Sequence, residues 1–149
     1  YKVLSPIELK SRYTIKLEKY IKDIEIEGRA LHSMVSSMVL PAAIRYQGEV
    51  ASSIAKAEKV LGGVDFTAQK NLLKRITALI NGIDGSAALL KSRMDSNGHG
   101  HDHQKAAEFC CSEIKGAMVE IRKQVDELEV LVADDLWPMP KFWEMLFIS

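Results

Sequence analysis

Two long segments of this chain carry a repeat that rises in alternating steps of four and three residues. One segment begins at Gln69 and continues through Leu73, Ile76, Ile80, Ile83, Ala87, Leu90 and Met94. The other runs through Ala107, Cys111, Ile114, Met118, Ile121, Val125, Leu128 and Val132. A stripe of this period lies along one side of an α-helix and has to be covered by another element. The pattern predicts helices over about 66–95 and 103–133.

A third and longer helix is predicted upstream, over about 6–61. Ser5 followed by Pro6 is typical of a helix start, with an N-cap and a proline in the first turn. The apolar stripe of this segment consists of two parts, because the five-residue step from Met38 to Ala43 interrupts the four-three spacing. Pro41 lies in that gap, and proline removes a helical hydrogen bond. We therefore expect a kink or short break there.

The three predicted helices differ in length, and this limits how they pair. The two later segments hold about 28 residues each, hence about 42 Å of helix, whereas the first is nearly twice as long. Its second half has room to pack on the other two in an antiparallel three-helix bundle. The apolar stripe in its first half, roughly 7–40, is then expected to pack against a surface outside the bundle. That stripe supplies five packing or interface candidates, Leu17, Ile21, Ile24, Leu31 and Val35.

The last sixteen residues, 134–149, form a tail that is rich in aromatic residues. Its interface candidates are Trp137, Phe142, Trp143 and Phe147. Exposed aromatic surface is costly, so we expect the tail to dock. Docking on the same chain and docking across a subunit boundary both fit the sequence.

Composition excludes several classes of protein. Twenty basic residues balance twenty acidic ones, which favours neither nucleic acid nor a membrane surface as a partner. No apolar run approaches the roughly 20 residues of a membrane span. The two cysteines, Cys110 and Cys111, are neighbours and poorly placed for a disulfide, which indicates a reduced, cytoplasmic protein. Cys111 falls on the apolar stripe and is predicted to be a buried thiol.

One cluster has the composition of a metal site. His99, His101 and His103 alternate between the second and third predicted helices, and imidazole nitrogens bind zinc, nickel or copper. The cluster lies in a Gly-containing connector without evident second-shell support. We interpret it as a solvated loop, with a metal site as the alternative. No other residues form a recognisable catalytic or phosphate-binding motif.

Several stretches resemble a known family. Ser-Arg-Tyr-Thr at 11–14, Leu-Glu-Lys-Tyr at 17–20 and Leu-Pro-Ala-Ala-Ile-Arg-Tyr-Gln at 40–47 resemble the carboxy-terminal region of type III glutamine synthetases. Asp-Asp-Leu-Trp-Pro-Met-Pro-Lys-Phe-Trp-Glu-Met-Leu-Phe at 134–147 resembles the end of the same proteins. The chain departs from the family pattern at Trp143, where a basic residue is expected.

The resemblance implies a parent enzyme that joins ammonia to glutamate at the expense of ATP, through γ-glutamyl phosphate, with magnesium or manganese. In that family the catalytic groups lie upstream of this region, so no catalytic, cofactor-binding or metal-binding residue is assigned here. The opening Tyr1-Lys2-Val3 also favours a fragment of a larger protein. The implied role is structural. The expected partners are the upstream catalytic domain and neighbouring subunits of a homo-oligomer.

Two other classes of function remain open. An independent helical interaction module, such as an adaptor or scaffold, would show the same heptads and balanced charge. The order of the tail and of the proline-containing helix favours the synthetase over that module. The third class, a metal-handling helical protein, depends on the histidine loop alone.

Overall fold

A computed structural model describes residues 5–96 and 102–141. The first helix comprises α1 (Pro6–Met34), a π-helical turn (Val35–Val39) and α2 (Leu40–Val60). The second helix is α3 (Thr67–Ser96). The third helix comprises α4 (His103–Phe109), a π-helical turn (Cys110–Ile114) and α5 (Lys115–Glu129), and a 3-10 turn (Asp134–Leu136) follows it. The chain is all-α with three helices packed together, as the apolar repeats predict.

Helical structure runs through Pro41, so the first helix extends over 55 residues without the predicted break. The interruption of the apolar repeat between Met38 and Ala43 coincides with the π turn immediately before the proline. There the N–H of Leu40 donates to the carbonyl of Val35, five residues back. The extra residue in this turn changes which side chains face the core, and Val35, Val39 and Ala43 are all buried.

Polar contacts show that the second and third helices run in opposite directions. Arg93 Nη1 donates to the carbonyl of Glu113 at 2.8 Å, and Arg93 Nη2 lies 3.1 Å from the carboxylate of Glu113. Further along, Gln124 Nε2 donates to Ser86 Oγ at 3.3 Å. Residue numbers fall on one helix as they rise on the other, which is the direction of an antiparallel pair.

The first and second helices are also antiparallel. Gln47 Nε2 donates to Thr77 Oγ1 at 2.7 Å, and Lys70 Nζ lies 2.7 Å from Glu58 Oε1. The turn between these helices includes Gly63, whose φ of 87° lies in the left-handed region that favours glycine. The third helix then returns parallel to the first, beginning where His103 Nε2 lies 3.5 Å from Glu18 Oε1.

The centre of the core is built from residues seven positions apart on the second and third helices. All six have no exposed surface: Ile76, Ile83 and Leu90 on one helix, Ile114, Ile121 and Leu128 on the other. A shared seven-residue spacing keeps both seams facing each other along their whole length. Val35, Val39 and Ala43 of the first helix complete this core.

The first helix packs closely against the other two at Gly28. A Cβ atom there would lie 2.8 Å from Met94 Sδ and 3.6 Å from Ile114 Cγ2. Gly82 and Gly85 have a different environment. A Cβ at Gly82 would meet only the side chain of Gln124, and one at Gly85 would meet open space. Neither glycine therefore marks a close approach of another backbone.

The cysteine prediction is also wrong: Cys110 is fully buried, and Cys111 is exposed. Both positions fit a four-three repeat between Ala107 and Ile114, so spacing alone does not choose between them. The π turn that begins at Cys110 places its side chain in the core. Cys111 instead lies beside the first helix, where a hydrogen bond with its side chain raises the pKa of Tyr20.

We expect one of the two thiols to react with Ellman's reagent in the native protein and both to react in denaturant. The reacting thiol is Cys111, because Cys110 has no exposed surface. Absorbance at 412 nm checks this, and Cys111→Ser should abolish the native-state reaction. A Cys110→Ser variant that abolished it instead would contradict the burial of Cys110.

Carboxylate side chains cap the N-termini of all three helices. Glu8 and Ser5 form a reciprocal capping box, in which Ser5 N donates to Glu8 Oε2 at 2.7 Å and Glu8 N donates to Ser5 Oγ at 3.3 Å. Asp65 accepts from the hydroxyl of Thr67 at 2.6 Å and from its N–H at 2.9 Å. Asp102 accepts from the N–H of Lys105 at 3.2 Å.

Because of these hydrogen bonds, we expect low pH to fray the N-termini of all three helices. They hold the pKa values of Glu8, Asp65 and Asp102 below their usual range. The stabilisation is therefore full above the unfolded-state pKa values, about 3.9 for Asp and 4.3 for Glu, and is lost as pH falls through the lower folded-state values. Amide hydrogen exchange at Glu8, Thr67 and Lys105 should accelerate over that window relative to mid-helix amides. Equal protection on both sides of the window would contradict the capping role.

Candidate interface

Catalytic groups do not converge within residues 5–96 and 102–141. No group of three His, Cys, Asp or Glu side chains in these ranges is placed to hold a metal ion. His103 lies in the first turn of the third helix and faces Glu18, so it has a contact within the bundle. The other two candidate ligands, His99 and His101, lie outside the described residues. No helix in the same ranges is both long and apolar enough to cross a bilayer.

The chain itself covers most of the stripe on the first helix. Ile21, Ile24 and Val35 are buried in the core, while Leu17 and Leu31 are half-buried and packed against it. The third helix supplies this cover, because it returns alongside the first half of the first helix. The surface that lacks a cover is therefore shorter than the 7–40 stretch that the sequence suggested.

The segment 6–16, upstream of Leu17, is the part of the first helix that we call the N-terminal arm. It extends the first helix by about 16 Å. Its four large apolar side chains are all exposed: Ile7, Leu9, Tyr13 and Ile15. At about 100° per residue, Leu9 and Tyr13 share one side of the helix and Ile15 lies on nearly the opposite side. Apolar side chains that are exposed on two sides of a helix, here interspersed with charged ones, mark a candidate interaction surface.

A second apolar surface lies at the other end of the first helix. Val60, Leu61 and Val64 are exposed at the turn into the second helix. Behind them, Ile54 and Phe66 are the large buried side chains that hold the two helices together. The first helix thus presents apolar side chains at both of its ends, beyond the part of the bundle where all three helices meet.

A third surface is a groove between the first and third helices, which we call the helix groove. Its volume is about 490 Å³, and most of its lining is apolar. The side chains that shape it include Leu31, Met34, Val39, Met118, Val119 and Met139. Two basic and three acidic residues also line it: Lys115, Arg122, Glu27, Asp126 and Glu129. No sequence pattern indicates this groove, because its side chains flank the buried stripes of two helices that meet only in the fold.

The chain after the third helix folds back toward this groove. Trp137 is 7% exposed and belongs to the core. Lys141 closes the loop, with Nζ 2.9 Å from Asp134 Oδ1 and 3.4 Å from the carbonyl of Val132. The indole N–H of Trp137 is buried and finds no acceptor among the described residues. The other aromatic candidates, Phe142, Trp143 and Phe147, lie outside them.

Comparison with known proteins identifies the relatives of this chain. Residues 1–58, which include almost all of the first helix, match the family model of the glutamine synthetase C-terminal domain. A type-3 glutamine synthetase from Dictyostelium discoideum is 33% identical over 154 residues, covering 98% of this chain and 20% of that protein. Residues 1–58 belong to the glutamine synthetase C-terminal domain family. The resemblance of the proline-containing helix and of the tail to type III enzymes is thereby confirmed.

Bacterial relatives show the same extent of match. A glutamine synthetase from Bacteroides fragilis is 23% identical over 150 residues, and one from Butyrivibrio fibrisolvens is 28% identical over 142 residues. The chain spans about a fifth of the length of the relatives it matches, 20–21% in each case. The similarity to them therefore extends through all three helices, well beyond the 58 residues of the family model.

Proposed function

We propose that this chain is the structural and oligomerisation segment of a cytoplasmic glutamine synthetase. The parent enzyme would join ammonia to glutamate with ATP, through γ-glutamyl phosphate, in a catalytic domain upstream of Tyr1. The observation that carries the proposal is the N-terminal arm. It exposes apolar side chains on two sides, lacks a cover in its own bundle and lies within the part that matches the family model.

The N-terminal arm is the part best suited to contact the catalytic domain. It stands at the start of the first helix, so it is the described segment nearest in sequence to any upstream domain. Burying its four large apolar side chains would contribute about 1.5–3 kcal/mol each. The exposed turn at Val60, Leu61 and Val64 is the second candidate, and it suits a neighbouring subunit because it lies at the far end of the same long helix.

The catalytic chemistry is assigned elsewhere. The parent reaction is expected to use ATP with magnesium or manganese, and such ions are held by converging carboxylates. The described residues offer no such cluster, and the carboxylates with lowered pKa, Glu8, Asp65 and Asp102, each cap a helix. We therefore assign no step of the ligation to these residues.

The experiment that tests the proposal compares the full-length parent with a version truncated before this segment. ATP-dependent glutamine formation is assayed beside the mass from light scattering. We expect the intact protein to make glutamine and the truncation to lose activity, assembly or both. A parent that makes no glutamine would overturn the synthetase assignment in favour of a stand-alone interaction module. A truncated enzyme with full activity and unchanged mass would overturn the structural role.

A further inference from the structure

The third helix turns one side away from the bundle, and we call this side the outward face. It consists of six exposed residues that line a shallow depression of about 480 Å³: Val119, Arg122, Lys123, Asp126, Glu127 and Val130. The two valines, 61% and 83% exposed, lie eleven residues apart, close to three helical turns, so they stand on the same side of the helix. At about 100° per residue, that side lies opposite the buried Ile121 and Leu128.

The charges of the outward face are sorted along the helix. Its two basic residues, Arg122 and Lys123, precede the midpoint between residues 124 and 125, and its two acidic residues, Asp126 and Glu127, follow it. Residues four apart on one helix can pair, but a basic residue before an acidic one is the less favourable order. Among the described residues, none of these four side chains takes part in an ion pair.

The charged residues beside the outward face leave this order in place. Lys115 extends the basic half and Glu129 extends the acidic half. Glu120 lies on the flank and accepts a hydrogen bond from Gln124 at 3.0 Å. Glu27, from the first helix, lines the neighbouring helix groove. The outward face therefore carries a positive and a negative half with one exposed valine at each end.

Such a face complements itself when two copies meet in opposite directions. A two-fold axis that crosses the helix between residues 124 and 125 places Val119 against Val130 of the partner copy, because both positions are equally far from the axis. The same operation brings Arg122 to Asp126 of the partner copy and Lys123 to Glu127 of the partner copy. A parallel pair would instead bring Lys123 nearest to Arg122 of the partner copy, which is repulsive.

We propose that the outward face of the third helix binds the same face of a second copy of this chain, in antiparallel orientation. Six residues from each copy are fewer than the roughly 20–30 a side of a stable interface, so the pair is weak on its own, with a Kd on the order of 100 µM. Within an oligomer that other contacts already hold together, such a pair adds to assembly by raising avidity. Only this last step rests on the proposed function, because a stand-alone module would form the same pair.

Charge reversal in the 149-residue chain tests the pairing. One variant carries Arg122→Glu and Lys123→Glu, and the other carries Asp126→Lys and Glu127→Lys. Analytical ultracentrifugation at about 1 mM, ten times the expected Kd, should show the unmodified chain mainly as a dimer. Each variant alone should dimerise about a hundredfold more weakly, because all its facing charges then repel. An equimolar mixture of the two should recover the dimer, because every facing pair is again of opposite charge.

Three results of this experiment would contradict the proposal. An unmodified chain that is monomeric at about 1 mM would remove the second copy as the partner. Variants that dimerise as well as the unmodified chain would place the contact on another surface. Two monomeric variants whose mixture also stays monomeric would exclude the antiparallel charge pairing. Circular dichroism should show unchanged helix content in both variants, because all four side chains are exposed.

A cross-linking experiment that leaves these charges in place tests the same geometry. Val119→Cys and Val130→Cys are placed in separate chains that also carry Cys111→Ser, since Cys110 is fully buried. Oxidation by copper phenanthroline should yield a disulfide-linked dimer only when the two chains are mixed. In either chain alone the two cysteines lie about 16 Å apart along the helix, beyond the reach of a disulfide. Equal cross-linking of the Val119→Cys chain by itself would refute the antiparallel arrangement. Neither experiment bears on whether the parent makes glutamine.

Discussion

Replacing Leu90 with alanine should lower the free energy of unfolding by about 2–5 kcal/mol. Leu90 has no exposed surface and lies in the central core with Ile83 and Ile114. Its Cδ1 is also 3.8 Å from the position that a Cβ at Gly28 would occupy, so it helps to fill the junction of all three helices. Truncation would leave a cavity that the rigid glycine backbone is poorly able to fill.

Leu89→Ala is the matched control for this prediction. Leu89 is the preceding residue on the same helix, but it is 48% exposed. Alanine also has the higher helix propensity, so the change in unfolding free energy should stay below about 1 kcal/mol. Urea denaturation followed by circular dichroism measures both variants. Equal losses for the two leucines would mean that the second helix does not face the core as described.

The second helix shows how much of the fold the sequence determines. Of the eight residues that spacing places on its apolar side, only Gln69 at the start is exposed. Four are buried, namely Ile76, Ile83, Ala87 and Leu90. Such a strong prediction is possible because a helix presents every third or fourth residue to one side regardless of what covers it. The existence of three helices follows from this local rule, and so does the all-α class.

Local spacing is insufficient where the helix itself changes pitch. The two π turns, Val35–Val39 and Cys110–Ile114, each add a residue to one turn. In the third helix this decides between Cys110 and Cys111, which are equivalent by spacing. Such turns depend on the tertiary packing of the helix, which no periodicity records.

Which apolar surfaces stay exposed depends on which helices pack together, so the sequence predicts the candidate surfaces only in part. Helix lengths suggested that residues 7–40 of the first helix lay beyond the bundle. In fact the third helix returns beside them and buries Ile21 and Ile24. The N-terminal arm and the helix groove are what this return leaves uncovered. Neither follows from the apolar stripes, because both depend on where the third helix begins and ends.

The N-terminal arm supports the second large prediction, which concerns assembly. In the full-length parent, a Leu9→Asp and Tyr13→Asp double variant should break the contact between this segment and the rest of the enzyme. Central apolar side chains of an interface typically contribute 2 kcal/mol or more each, and together these two would weaken the contact about a thousandfold. Light scattering should show a smaller particle at concentrations where the unmodified enzyme remains assembled, with a matching loss of glutamine formation.

The fold of the segment should not change in this variant, and that separates an interface from a structural defect. Leu9 and Tyr13 are 60% and 53% exposed, so replacing them removes little buried surface from the bundle. The 149-residue chain carrying both substitutions should therefore keep its helix content and its melting temperature. Leu89→Asp, at a position that is 48% exposed on the second helix, is the control that should leave the assembly intact. If the double variant assembles normally and makes glutamine at the full rate, the arm is solvated in the parent. The contact would then have to be sought at the turn formed by Val60, Leu61 and Val64.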